Sequence, residues 1–143
     1  MNSVCSLCGS SLTPVLDETA LWQVRLNYNQ NLLGKLVIVL KRHEKQVAKL
    51  SAAEWVELHT QVQRTTERLR RAFAPDHVNY AFLQNQVRHV HLHVIPCYAA
   101  PREVSGIVFD DPDYPDHYAV PGRERRVSAA VLAALAELLN GAQ

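Results

Sequence analysis

A chain of 143 residues with 48% hydrophobic and 20% charged side chains can bury the core of one compact domain and is too apolar to stay disordered. Its formal net charge of +1, with no dominant basic stripe, argues against a nucleic-acid-binding protein. The longest apolar runs, such as residues 36–40, are far too short to span a bilayer, and no charged start followed by an apolar stretch suggests a signal peptide, so a cytoplasmic location is expected.

Residues 5–14, CSLCGSSLTP, are small, polar and turn-prone, and predict an irregular knuckle. Residues 20–26 place Trp22, Val24 and Leu26 on one face of a strand. A turn-rich connector, 27–34, leads to a β-branched run at 35–40, so the two strands predict a hairpin with a long loop. Residues 50–73 predict a long helix. Ser51 and Glu54 form a capping box, and Trp55, Leu58, Val62, Thr65 and Leu69 recur at three and four as one apolar stripe. Arg68, Arg70 and Arg71 suit the negative end of the helix dipole, and Pro75 marks the exit. Strands are expected at 78–84 and 90–96, the second ended by Pro96. Residues 99–122, rich in proline and aspartate, predict an irregular segment. A second helix is expected over 125–141, with Val127, Val131, Leu135 and Leu138 or Leu139 on its apolar face and Gly141 just past its end. The expected fold is a single α+β domain over 1–143: an antiparallel sheet of about five strands packed on one long helix, plus a C-terminal helix.

The segment RHVHLHVIPCY, residues 88–98, carries three of the seven histidines in strict alternation. Side chains alternate faces along a strand, so His89, His91 and His93 share one face at intervals of roughly 7 Å, and Val90, Leu92 and Val94 point to the other. Three readings are open: exposed histidines, a three-histidine metal centre, or nucleophilic catalysis at phosphorus by a neutral imidazole. Exposed strand positions have no reason to repeat histidine, and a third ligand lies too far along the strand to share one ion. Cys5 and Cys8 form a Cys-x-x-Cys pair. Its readings are a metal site, a redox pair or two idle thiols, and no thioredoxin-like βαβ context favours the redox one.

HVHLHVI fits alternating histidines with hydrophobic fillers, and this pattern resembles the signature of the histidine triad superfamily of nucleotide hydrolases and transferases. NYAFLQNQVRHVHLHVIP, LVIVLKRHE and the intervening long helix are similar to its bacterial branch. The resemblance covers roughly residues 5–98 and extends to the Asp-Pro-rich stretch at 110–118. It implies that His91 is the nucleophile toward a nucleoside α-phosphate, that His93 hydrogen-bonds the phosphate, and that the backbone carbonyl of His89 orients the ring of His91. It implies hydrolysis rather than transfer, because His93 stands where transferases carry glutamine. It places Asn85 and Gln86 against the phosphates or the leaving group, Asn27 and Tyr28 at the ribose and base, and Asn79 behind the site. Lys35 occupies a position where hydrolases of the family often carry a further histidine, and a lysine can meet phosphate as a point charge.

The resemblance also implies a structural zinc held by Cys5, Cys8, His43 and His89, an adenine-containing nucleotide substrate such as a dinucleoside polyphosphate or a nucleoside phosphoramidate, and a homodimer. No membrane or nucleic-acid partner is expected. Two other outcomes fit the same residues: a nucleotide-binding module without appreciable turnover, and a zinc-stabilised interaction protein. Cys97 predicts packing and His59 a surface position. His77 precedes a strand, and His117 falls where it could cap a neighbour's site.

Overall fold

The computed structural model of the chain describes residues 5–116 and 124–141, so His117 lies outside the described residues. Five strands form one sheet: β1 (Val15–Glu18), β2 (Trp22–Leu26), β3 (Leu36–Leu40), β4 (His77–Ala81) and β5 (His91–Cys97). Their order is β1-β2-β3-β5-β4, and every pairing is antiparallel. Helix α1 (Ala52–Phe73) packs on one face of this sheet, and α2 (Ala129–Leu139) packs against α1 and β1. The expected α+β fold is therefore present.

The alternation of β2 and β3 builds the core. Trp22, Val24 and Leu26 meet Leu36, Ile38 and Leu40 on the helix side, joined by Leu92 and Val94 of β5 and covered by Leu58, Leu69 and Phe73 of α1. Leu132, Leu135 and Leu139 of α2 close the same core.

Helix α1 starts where the capping box places it. The Ser51 hydroxyl accepts from Glu54 N at 3.1 Å, and Glu54 Oε1 accepts from Ser51 N at 2.8 Å. The Glu54 carboxylate is also gripped by Arg42, through Nε at 2.7 Å and Nη2 at 2.9 Å. The predicted apolar stripe is corrected. The buried face of α1 is Glu54, Leu58, Gln61, Thr65, Leu69 and Phe73, whereas Trp55 stands on the flank with 44% of its surface exposed, its ring edge-on to Phe82. Both series obey the three-and-four spacing. The polar Glu54 and Gln61 hid the true one.

Other boundaries also move. β4 ends at Ala81 rather than residue 84, and β5 runs to Cys97, carrying Pro96 inside it. The start of α2 shifts to Ala129, capped by the Ser128 hydroxyl. Residues 99–122 are not wholly irregular, because β6 (Arg102–Val104) and β7 (Ile107–Phe109) form a small hairpin. Val15–Glu18, between the knuckle and the first expected strand, carries no assignment from sequence and forms the edge strand β1.

The long β2–β3 loop is organised by a side chain that pattern reading passes over. Gln30 is fully buried; its amide donates to the carbonyls of Asn27 and Lys35 at 2.8 and 2.9 Å and accepts from Gly34 N at 2.8 Å. Gly34 sits at φ +82°, and a Cβ there would lie 2.8 Å from Leu69 Cδ2, so both backbone and packing demand glycine.

Candidate functional site: a histidine face joined to a Cys–His cluster

The sheet face opposite α1 carries the chemistry. Directly opposed residues in an antiparallel pair share a face. Val37 opposes His93 and Val39 opposes His91 on β3, while Ala81 opposes His93 on β4. Continuing the register one step sets Lys35 opposite Ile95, and the bond from Asn27 N to Lys35 O at 3.0 Å extends that row to Asn27. Asn27, Lys35, His93 and His91 therefore gather on one face. Asn79 opposes Ile95, one row beyond His93, where its carbonyl accepts from Cys97 Sγ at 3.5 Å.

The three histidines have different surroundings. His91 is buried, and its Nδ1 donates to the carbonyl of His89 at 2.6 Å. That bond fixes the tautomer with the proton on Nδ1 and leaves Nε2 with a free lone pair. Burial lowers the basicity of His91, partly offset by this same bond. The His93 ring stands 4.8 Å from that of His91, at 67° between planes. Burial, with the charges of His91 and Lys35 behind it, lowers the His93 pKa to about 4. Lys35 is itself buried, which lowers its pKa to about 8.

His89 faces a second cluster. Its Nε2 bonds the Leu40 carbonyl at 2.7 Å, which sets Nδ1 as the lone-pair atom. That Nδ1 lies 3.3 Å from Cys5 Sγ, 3.5 Å from Cys8 Sγ and 3.2 Å from His43 Nδ1, while Cys8 Sγ is 3.1 Å from His43 Nδ1. All four ligand atoms lie within 4.8 Å of one another. Zn–N and Zn–S bonds of about 2.0–2.3 Å in a tetrahedron put ligand atoms about 3.3–3.8 Å apart, so the set Cys5, Cys8, His43 and His89 fits a tetrahedral metal ion. Main-chain bonds assemble it: Leu40 N donates to Val90 O and Val90 N to Glu44 O, which draws His43 beside His89. Arg25 of β2 holds the cysteine loop through Nη2 bonds to the carbonyls of Leu7 and Gly9 at 3.2 and 3.1 Å. A cavity of about 250 Å³ lies under this loop, lined by Gln23, Arg25 and Lys41 among others, to the side of the histidines rather than over them.

The remaining predicted positions are more scattered. Asn85 and Gln86 are exposed at a bend just before β5. Tyr28 is half-exposed, with the Arg126 guanidinium over its ring at 4.4 Å from the centroid. His59 is exposed, His77 begins β4, and Cys97 is buried.

An antiparallel sheet with one helical face and one histidine face, the latter joined to a Cys–His cluster that could hold a metal ion, is the frame in which the comparisons fall. The chain belongs to the HIT domain family, whose model matches residues 15–100. Cys5 and Cys8 precede that span. A histidine triad protein from Sinorhizobium meliloti is similar in fold, with a TM-score of 0.72, 21% identity, and 89% of this chain and 87% of that chain covered. A histidine triad protein from Bradyrhizobium japonicum matches at the same TM-score and coverage with 20% identity. A Zn-bound histidine triad family protein from Mycobacterium smegmatis matches with a TM-score of 0.61 and 17% identity, covering 93% of this chain and 88% of its own. No curated protein matches the sequence. Among the described residues, no helix is long and apolar enough to cross a membrane.

Proposed function

We propose that the protein is a nucleotide hydrolase that cleaves a bond at a nucleoside α-phosphate through a nucleotidyl-histidine intermediate, acting on adenine-containing dinucleoside polyphosphates or nucleoside phosphoramidates. The observation that carries this reading is the 2.6 Å bond from His91 Nδ1 to the His89 carbonyl, which leaves Nε2 unprotonated on the face shared with His93 and Lys35. In the first step Nε2 attacks the α-phosphorus and forms an N–P bond. The bond to the leaving group breaks, and that group departs with the electron pair and takes up a proton. Water then attacks phosphorus, the N–P bond breaks, and the nucleoside monophosphate leaves with His91 neutral again. His93 hydrogen-bonds the phosphate oxygens as charge develops. Asn27 and Tyr28 serve the ribose and base, Asn85 and Gln86 the phosphate or leaving group, and Asn79 supports the site from the neighbouring strand.

His91→Asn should lower turnover of a diadenosine polyphosphate by at least about a hundredfold. Protein quenched in alkaline denaturant during turnover should gain the mass of one nucleotidyl group, absent in the variant. Full activity in His91→Asn would sink the mechanism. Tight nucleotide binding by the unaltered protein with no turnover would replace the hydrolase with a binding module.

The metal held by Cys5, Cys8, His43 and His89 is zinc in this reading, and its role is structural: it ties residues 1–15 to the strand that bears His91, within one domain over 1–143. Thiolate ligands suit a reducing, cytoplasmic setting. The protein acts as a homodimer. Support comes from the flank of α1 and edge strand β4, where Trp55, Val56, Tyr80 and Leu83 are exposed beside an unpaired strand edge.

A further inference from the structure

Residues 5–13 carry two of the four candidate metal ligands, yet none of them is buried, and Leu12 is fully exposed. The Cys5–Cys8 turn closes on itself through Cys8 N, which donates to Cys5 O at 3.1 Å. Among the described residues, two kinds of polar contact tie this segment to the rest of the chain: the contacts of the two sulfurs with His43 and His89, and the guanidinium of Arg25. Arg25 Nη2 donates to Leu7 O and Gly9 O, the carbonyls on either side of Cys8. Its Nε donates to Gln23 Oε1 at 2.6 Å, and Gln23 Nε2 in turn donates to Glu18 Oε1 at 3.1 Å, so the guanidinium is aimed from β2. The β1–β2 register also sets Val15 opposite Arg25. One residue therefore pairs with the start of β1 through its backbone and holds the cysteine turn through its side chain.

We propose that Arg25 is a positioning residue for the metal: it docks the cysteine turn against His43 and His89, so that an ion meets Cys8 already close to its bound place. The inference rests on the reading of Cys5, Cys8, His43 and His89 as a metal site and deepens it. A segment with no buried side chain must be ordered as the ion binds, and the entropy lost in ordering it weakens the ion's affinity. The two N–H groups on one guanidinium nitrogen suit two carbonyls of one turn, and they impose part of that order beforehand. Arg25 thus acts on the ion through the backbone around Cys8, and Gln23 acts on it through Arg25.

The test measures the affinity of the full chain for zinc and for cobalt(II) at pH 7, with thiols kept reduced, by competition against a chromophoric chelator. Arg25→Met should weaken both ions about tenfold or more. Its cobalt spectrum at saturation should match that of the unaltered protein, because all four ligands remain. Gln23→Leu changes no charge but releases Arg25 Nε from its anchor, and should weaken both ions by about threefold or more. It also carries the test if the Arg25 variant does not fold. Loss of affinity in Arg25→Met with none in Gln23→Leu would assign the effect to charge and overturn positioning. Unchanged affinity in Arg25→Met, or a different spectrum at saturation, overturns the proposal and leaves the metal reading intact. Failure of the unaltered protein to bind either ion overturns both.

Discussion

Two histidines separated by one residue share a strand face, yet His89 and His91 enter different chemistry because each has a different partner for its ring proton. Leu40 O accepts a hydrogen bond from His89 Nε2–H and leaves Nδ1 toward the cysteines, whereas His89 O accepts from His91 Nδ1–H and leaves Nε2 with its lone pair. Alternation was legible in the sequence because it needs only the strand period. The tautomers were not, since they depend on carbonyls brought in by the fold. His93 makes a testable case at this scale. Its folded pKa is about 4 against an ordinary 6.5. Between these values the unfolded chain binds more protons than the folded one, so stability holds above pH 6.5 and falls as pH drops toward 4. His93→Gln should flatten that decline in urea midpoints taken at pH 7, 5.5 and 4.5; an unchanged slope would assign the loss to other groups.

At the scale of the element, the start of α1 was readable to the residue, because a capping box is a local device of four positions. Its buried face was misread, because Glu54 and Gln61 are polar; the tertiary fold accounts for Glu54, whereas the buried Gln61 amide has no hydrogen-bond partner among the described residues. Glu54 is held by Arg42 and Ser51, which press its carboxyl down to about 2. Replacing it removes a cap and an ion pair together, so Glu54→Ala should cost about 2 kcal/mol or more, against about 1 kcal/mol for Ser51→Ala, both read from urea unfolding. The β2–β3 loop shows the opposite balance. Its turn-rich composition announced a loop, but nothing local announced that Gln30 would fold back under it or that Gly34 would touch Leu69. Gly34→Ala should cost about 2 kcal/mol through φ strain and the methyl contact, and it should weaken nucleotide binding as well, because Asn27 and Lys35 ride on the same loop. Normal affinity in a destabilised Gly34→Ala protein would separate the loop from the site. Strands β1, β6 and β7 escaped prediction because three or four residues are too few to establish a period.

Across the whole molecule, the sheet divides labour between its faces: α1 and the core on one, the histidines and the Cys–His cluster on the other. The flank of α1 that bears Trp55 and the β4 edge belong to neither, and the dimer reading assigns them to a second copy. Trp55→Glu should shift the protein to monomer in sedimentation velocity while leaving its helix content unchanged; a dimer that persists would move the interface elsewhere. Chelation should lower the melting temperature and expose Cys5 and Cys8 to thiol reagents, because the knuckle has few apolar contacts to hold it without the ion. Retained thermal stability after verified metal loss would make the cluster dispensable to the fold.

His89 belongs to both clusters at once: its ring is a candidate metal ligand and its carbonyl is the hydrogen-bond acceptor for His91. Two equilibria that share one residue are thermodynamically linked, and linkage is reciprocal. Whatever factor the ion adds to nucleotide affinity by fixing His89, the nucleotide must add to ion affinity. Titrating the metal with and without bound AMP would then read the stiffness of a single residue as a ratio of two dissociation constants, with no need to observe turnover.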